Sequence, residues 1–324
     1  MVTVDGLEPP SQPLAGTPVA YGRRYAEGPF VSRTHRALLL VALAQLAIGA
    51  AAVFARFALA SGGPLAVSAA RLTMAAAPLL VLAALRGRLR MLDPGTERRL
   101  ALAGVLLALH FATWIASLNF ASVAISTLLV CSSAVWTEAY AVLRRRRVDP
   151  LVAASVLGAL VGVAIVVGAP DRQNTPAGIV LAIAGAISIA AYLIVVRATD
   201  ERYDTLAVTS RTYAYAALVL IAASLVAHDT LPPLADARAW GGIVAMALLS
   251  QLFGHTALNA GVRVLSPTFV STTTLLEPVI AAILAAWLFG ERLGTSTALG
   301  AVVIFGAITV AVRGERPPDG PASG

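Results

Sequence analysis

Ten apolar stretches, each close to the roughly 17 to 25 residues a helix needs to cross a bilayer, occupy this 324-residue sequence almost end to end. They run approximately over residues 37–60, 65–85, 100–118, 122–143, 151–169, 176–197, 206–227, 240–261, 267–289 and 295–312. Connections such as SGGP at 61–64 are so short that the flanking helices must be antiparallel neighbours, and no extramembrane domain fits between them. With 58% hydrophobic and only 13% charged residues, an ordinary soluble domain is excluded. The reading is an all-α integral membrane protein with ten transmembrane helices.

Residues 1–35 are rich in Pro, Gly and Ser and lack helical periodicity, so they read as a disordered cytoplasmic leader. Residues 313–324, RGERPPDGPASG, are too polar to pack and read as a disordered tail. The first apolar run is longer than the core of a cleaved signal peptide and lacks a cleavage site. All 24 basic residues are arginine, which together with the alanine richness suggests a GC-rich bacterial genome and hence a multi-pass protein of the bacterial plasma (inner) membrane.

The net charge of +7 does not point to nucleic acid, because the arginines fall in short clusters between apolar runs rather than on one polar face. Their placement is a topology signal. Arg23, Arg24, Arg33, Arg36, Arg86, Arg88, Arg90, Arg98, Arg99, Arg144 to Arg147, Arg197, Arg202, Arg263, Arg313 and Arg316 fall on one side of a ten-span chain. Only Arg172, Arg238 and Arg292 fall on the other, so both termini are expected in the cytoplasm. Cys131 is the single cysteine, which rules out an intramolecular disulfide and a cysteine metal cluster.

The chain also resembles itself at an offset of about 140 to 145 residues. LAVSAARLTMAAA from Leu65 aligns with LAVTSRTYAYAA from Leu206 after one gap, pairing Arg71 with Arg211. LALHFATW aligns with QLFGHTAL and pairs His110 with His255, SVAISTLLVCSSAV from Ser122 aligns with SPTFVSTTTLLEPV from Ser266, and Arg56 pairs with Arg197. Each half, 37–169 and 176–312, holds five runs. Because five is odd, the second half must be inserted upside down, the inverted repeat typical of secondary transporters.

In TLLEPVI, Thr274 to Ile280, a carboxylate and a proline interrupt the ninth run. A glutamate at mid-bilayer costs roughly 2.5 to 3.5 kcal/mol, so Glu277 needs a partner, a wet cavity or a proton. Pro278 deletes a backbone hydrogen bond and is expected to kink the helix.

These motifs resemble the drug/metabolite transporter superfamily, EamA type, over roughly residues 37 to 312. The resemblance rests on LHFATWIASLNFASVAISTLLV from Leu109, on GHTALNAGVRVLSPTFVSTTTLLEPVIAAILAAWLFGERL from Gly254, and on LGAVVIFGAITVAV from Leu299, with E-P-V followed by G-E-R-L as the most specific element. It implies two inverted five-helix halves around a central cavity, and export or exchange of small polar metabolites without ATP. In the first half the family's span-4 proline is replaced by Ala134 and the G-E-R-L end by LRRRRV, so span 4 is expected to be less kinked than span 9.

Several groups are candidates for substrate binding or coupling. Glu277 is a candidate for proton coupling or for binding a substrate amine. His110 and His255 are candidates for a proton relay or a substrate hydrogen bond, with interhelical packing as the alternative. Trp114, Ser117 and Asn119 on span 3, Ser126, Thr127 and Ser133 on span 4, Gln251 and Asn259 on span 8, and Thr273 on span 9 make these helices the most polar, and Gln45 and Tyr192 join them. Arg71 and Arg211 lie one to two turns inside spans 2 and 7, as gates or as charges that snorkel to the interface, the simpler account. Glu138 is expected to face the surface beside Arg144 to Arg147.

The function expected is a secondary transporter of small polar metabolites or drug-like compounds working by alternating access, an exporter or exchanger, proton-coupled or facilitative. No G-x-x-x-x-G-K-[ST] loop exists to bind ATP, and no cofactor or metal site is expected. The alternative is a membrane-embedded lipid or prenyl-processing enzyme using Asp200 and Asp204. Spans 5 and 10, with GALVG and GAVVIFG, are expected to pack on each other or on a second copy.

Overall fold

The computed structural model describes residues 33–89, 92–145, 150–167, 175–199, 203–291 and 294–314. Regular structure among them is helical throughout: α1 (Arg33–Gly49), α2 (Ala51–Ala58), α3 (Pro64–Leu85), α4 (Pro94–Ser117), α5 (Val123–Val130), α6 (Ser133–Arg145), α7 (Pro150–Val167), α8 (Pro176–Arg197), α9 (Thr205–Val226), α10 (Ala237–Ala245), a π-helical segment (Met246–His255), α11 (Thr256–Val262), α12 (Pro267–Thr273), a 3-10 turn (Thr274–Leu276), α13 (Glu277–Phe289) and α14 (Thr295–Gly314). Helix therefore reaches three residues into the expected leader and two into the tail; the rest of both lies outside the described residues.

The helix starts follow local chemistry. Proline stands at the first position of α3, α4 and α8, where its missing N–H is no loss. Side chains of Asp93, Ser122, Thr175, Asp204 and Asp236 accept from the backbone N–H three residues on, satisfying donors that a helix start leaves free. At the close of α13, Gly290 takes φ 67°, a left-handed cap that a side chain would strain.

Six stretches are by length and composition able to cross a bilayer: His35–Ala58, Pro64–Leu85, Pro94–Ser117, Pro176–Arg197, Thr205–Val226 and Ala237–Val262. Expected spans 4 and 9 are each divided, as α5/α6 and α12/α13, and spans 5 and 10 are filled by α7 and α14. Large apolar side chains face outward along these helices, among them Leu39, Leu85, Leu157, Val180, Leu218, Leu225, Ile283 and Val302. The interior meanwhile holds Gln45, Arg71, Thr209, Thr212, Ser250 and Gln251. An apolar outer surface over a core that also buries polar groups departs from the pattern of a water-soluble protein and suits a lipid surround.

The packing has an internal symmetry. Exchange α1–α2 with α8, α3 with α9, α4 with α10–π–α11, α5–α6 with α12–α13, and α7 with α14, and the neighbour relations map onto themselves. Helix α4 lies on α8, and α1 on the π segment; α4 lies on α9, and α3 on the π segment; α5 meets α13, and α6 meets α12. Helices α3 and α9 pack on each other, as do α7 and α14. The last contact fulfils the expectation for the small-residue runs. A Cβ on Gly162 would sit 2.5 Å from Ile304 and 2.9 Å from the Gly300 carbonyl, so only glycine permits this approach.

Two local departures from regular helix shape the interior. Span 4, expected to be the straighter of the pair, is broken at Cys131–Ser132 without any proline. Ser132 Oγ donates to the Leu129 carbonyl at 2.6 Å, and the backbone bonds from Ser132 N to Leu129 O and from Val135 N to Ser132 O close tight turns instead of α-turns. Serine competition for the carbonyl does here what Pro278 does in span 9. The π segment is the second departure. Helix α4 has 24 residues and the stretch Ala237–Val262 has 26, and the wider π winding takes up the excess. His255 thereby comes back into step with His110, and the two rings lie 6.3 Å apart.

Candidate functional site

Arg71 organises the interior. It is fully buried, contrary to the expectation that it snorkels to the interface. Its Nε donates to Gln251 Oε1 at 3.1 Å, its Nη1 points to Met246 Sδ at 4.0 Å, and its Cζ lies 4.0 Å above the Phe111 ring and 5.8 Å from the Trp114 ring. A guanidinium out of water costs several kcal/mol, and one amide oxygen with an aromatic face offsets only part of that.

The register of α9 explains why Arg211 behaves differently. Helices α3 and α9 each have 22 residues and run unbroken, so the single gap that pairs Arg71 with Arg211 has no room in the structure. Aligned from their starts, the two helices set Leu65 with Leu206 and Arg71 with Thr212. One residue is about 100° of rotation. Thr212 is accordingly buried, whereas Arg211 Nε reaches Glu97 Oε2 at 3.4 Å, with Tyr215 Oη donating to Glu97 Oε1 at 2.5 Å. Arg211 thus belongs to the arginine-rich end, where Arg88 also pairs with Asp204 at 3.0 Å.

The second pole is Glu277. It opens α13, is 9% exposed, and its Oε2 accepts from Cys131 Sγ at 3.5 Å. The break in span 4 and the break in span 9 therefore touch through these two side chains. Among the described residues Glu277 makes no ion pair. Pro278, in the first turn of α13, is buried beside it.

Beside Arg71 stand the histidines and Trp114. His110 Nδ1 lies 3.0 Å from the Gly185 carbonyl oxygen; a carbonyl only accepts, so Nδ1 carries a proton. The His110 ring stacks on Trp114 at 5.9 Å and 13°, and Phe111 meets His255 edge-on at 5.3 Å. Gln45 Nε2 donates to Thr273 Oγ1 at 2.9 Å, joining α1 to α12. Five buried polar atoms of candidate residues find no hydrogen-bond partner among the described residues: Gln45 Oε1, Arg71 Nη2, Trp114 Nε1, Thr127 Oγ1 and Gln251 Nε2. Such orphans are rare in a settled interior.

Other expected site residues are not drawn in. Ser117 and Ser126 bond each other at 2.6 Å and serve to hold α4 on α5. Tyr192 Oη donates to Asn259 Oδ1 at 2.6 Å, and Asn259 Nδ2 to Thr209 Oγ1 at 3.3 Å, a chain that ties α8, α11 and α9 together. Ser133 is buried at the start of α6. Asn119 is exposed in the turn after α4 and does not belong to the cluster. Asp204 caps α9 and pairs with Arg88, while Asp200 and the side chain of Glu138 lie outside the described residues. Phe111, Tyr213, Met246 and Cys131, all in contact with the cluster, carry no spacing signal that distinguishes them from core residues.

Both ends of the molecule are latched. At the arginine-rich end Arg197 Nη1 donates to the Arg263 carbonyl at the close of α11, and Arg263 Nη2 to the Tyr203 carbonyl. At the opposite end Arg56 Nη1 donates to the Leu118 carbonyl at the close of α4 at 3.4 Å and approaches Glu291 at 3.8 Å, while Asp229 Oδ2 accepts from Leu65 N at 2.7 Å. The pairing of Arg56 with Arg197 read from the repeat is met: each caps the last carbonyls of the symmetry-related helix.

A solved crystal structure superposes on this chain with a TM-score of 0.65, covering 86% of this chain and 96% of its own at 19% identity, a likeness of fold. No curated protein matches the sequence significantly. The sequence profile of the EamA-like transporter family matches residues 35–168 and again residues 176–313. With two successive matches that together cover most of the chain, on apolar helices with polar groups buried among them, the protein is a multi-pass membrane protein and belongs to the EamA-like transporter family.

Proposed function

We propose that this protein is a secondary transporter of small polar metabolites or drug-like compounds, built as ten transmembrane helices in two inverted five-helix repeats, residues 37–169 and 176–312. The observation that carries the reading is a set of buried polar groups, Arg71 on Gln251 with His110 and His255 beside it and Glu277 on Cys131 where two repeat-related broken helices meet, with a latch at each end. A soluble enzyme has no need of that plan; a carrier that opens alternately to either side does. Broken helices supply the free backbone groups and hinge points such motion uses. The enzyme alternative draws no support, since Asp204 is committed to a helix cap and an ion pair.

In this reading Glu277 carries the coupling proton. A buried carboxylate with a thiol as its bonded partner, and no ion pair among the described residues, has reason to exchange a proton when the site opens. The protein sits in the bacterial plasma membrane with both termini in the cytoplasm, the arginine-rich end facing inward, working as an exporter or exchanger. Proteoliposomes tested with radiolabelled amino acids, nucleobases, sugars and benzoate, with and without an imposed pH gradient, check it. Gradient-dependent accumulation of at least one compound, lost in E277Q, is expected. Transport in E277Q with undiminished pH dependence refutes the coupling role, and transport of none of the panel refutes the transporter reading.

A further inference from the structure

We infer that Arg71, Gln251 and Trp114 form an anion-binding subsite that takes the carboxylate of a flat, singly charged organic acid. This rests on the transporter reading and names the substrate chemistry of that same site.

The donors point to it. A guanidinium has five N–H groups and no acceptor. In Arg71 the Nε edge is occupied by Gln251 Oε1, Nη1 has only a thioether sulfur at 4.0 Å, and Nη2 has no partner. The terminal fork, the edge that binds a carboxylate through two parallel hydrogen bonds, is therefore the unsatisfied one. Gln251 is oriented by the same contact. Because arginine can only donate, the amide must present its oxygen to Nε, which leaves Nε2 beside the guanidinium as a second free donor. Trp114 adds a third: its ring lies 5.8 Å from Arg71 Cζ and its buried Nε1 is unpaired. Three fully or nearly buried side chains from α3, α4 and the π segment thus offer N–H groups and no competing acceptor among them.

Charge and shape narrow the ligand. Arg71 is the one permanently charged cation in the cluster, so with Glu277 holding its coupling proton a monoanion is neutralised and a phosphate dianion is not. Phe111, Trp114, His110 and His255 give the surroundings flat aromatic faces rather than a polar wall, which favours an aryl or other planar body over a sugar. The π segment has a part here. It carries both Gln251, which meets Arg71, and His255, which meets Phe111.

The test is binding to the purified full-length protein in detergent, which is separate from transport. Benzoate, benzyl alcohol and benzylamine are compared by calorimetry on wild type, R71Q, R71K and Q251L. Wild type is expected to bind benzoate at least about tenfold more tightly than either uncharged or cationic analogue, R71K to keep part of that preference and R71Q to lose it, with Q251L weakening it severalfold. Benzoate binding no tighter than benzyl alcohol in wild type overturns the inference without any variant, and so does an R71Q protein with unchanged benzoate affinity. If the preference is absent while proteoliposomes still accumulate another compound, the anion subsite fails and the transporter reading stands; if benzoate binds as expected and nothing is transported, the reverse holds.

Discussion

Helices α3 and α9 occupy symmetry-related places, have the same length, and each carries an arginine near the same depth in sequence, yet one guanidinium lies at the heart of the molecule and the other at its edge. The difference is one residue of register. Counted from the helix starts, Arg71 answers to Thr212, and Arg211 is turned about 100° away toward Glu97. A duplicated frame therefore supplies positions, and a single step along a helix decides whether a charge serves a latch or a site.

The strongest challenge to this contrast is to move the charge. Putting arginine at the buried Thr212 position places an unpaired cation where a hydroxyl now bonds the Val208 carbonyl at 2.8 Å. T212R is expected to lose roughly 3 to 5 kcal/mol, seen as a large drop in melting temperature of the detergent-solubilised protein; a wild-type melting curve denies the register argument. Next in size, R71Q is expected to lower transport about 100-fold while the protein still purifies as a monodisperse species, because the cation is removed from the site rather than from the frame. R211Q and E97Q come third. Their ion pair is partly exposed at 12% and 34%, so each is expected to change stability by less than about 1 kcal/mol and transport by less than about threefold.

The smallest effect concerns Asp93, the exposed cap of α4. Its hydrogen bonds with Thr96 hold the carboxyl down to about 2. A carboxyl lowered on folding contributes stability that is fully present above its unfolded value near 4 and fades as pH falls toward 2. Melting curves of wild type and D93N are therefore expected to run parallel between pH 5 and 8 and to converge only below about pH 4.

Much of the frame was readable in the sequence because a bilayer imposes a length and an apolar surface that composition records directly. The apolar runs, the arginine bias and the His110–His255 and Arg56–Arg197 pairings all rest on such signals, and the structure brings both pairs into corresponding places. The family's G-E-R-L segment likewise finds its Glu291 beside Arg56. What escaped was set by geometry finer than composition. The alignment gap at Arg211 is harmless in a string of letters and impossible in an unbroken helix. The break at Cys131–Ser132 comes from a serine hydroxyl winning a carbonyl, a contest that most serines in helices do not decide. The π segment has no letter of its own; only the two residues by which Ala237–Val262 exceeds α4 betray it. Arg71 was visible as a charge in an apolar run, but snorkelling and burial differ by a direction that sequence does not carry.

Cys131 offers the most direct test of the central claim, that the closed cluster where the two broken helices meet opens to each side of the membrane in turn. It is the chain's single cysteine, buried, and bonded to Glu277, so it reports on that spot without background. A small membrane-impermeant methanethiosulfonate reagent is applied to right-side-out and to inside-out vesicles, and the modified fraction is followed by mass spectrometry. Slow modification from both sides is the predicted result. Modification from one side only, or from neither while the unfolded protein reacts fully, contradicts it.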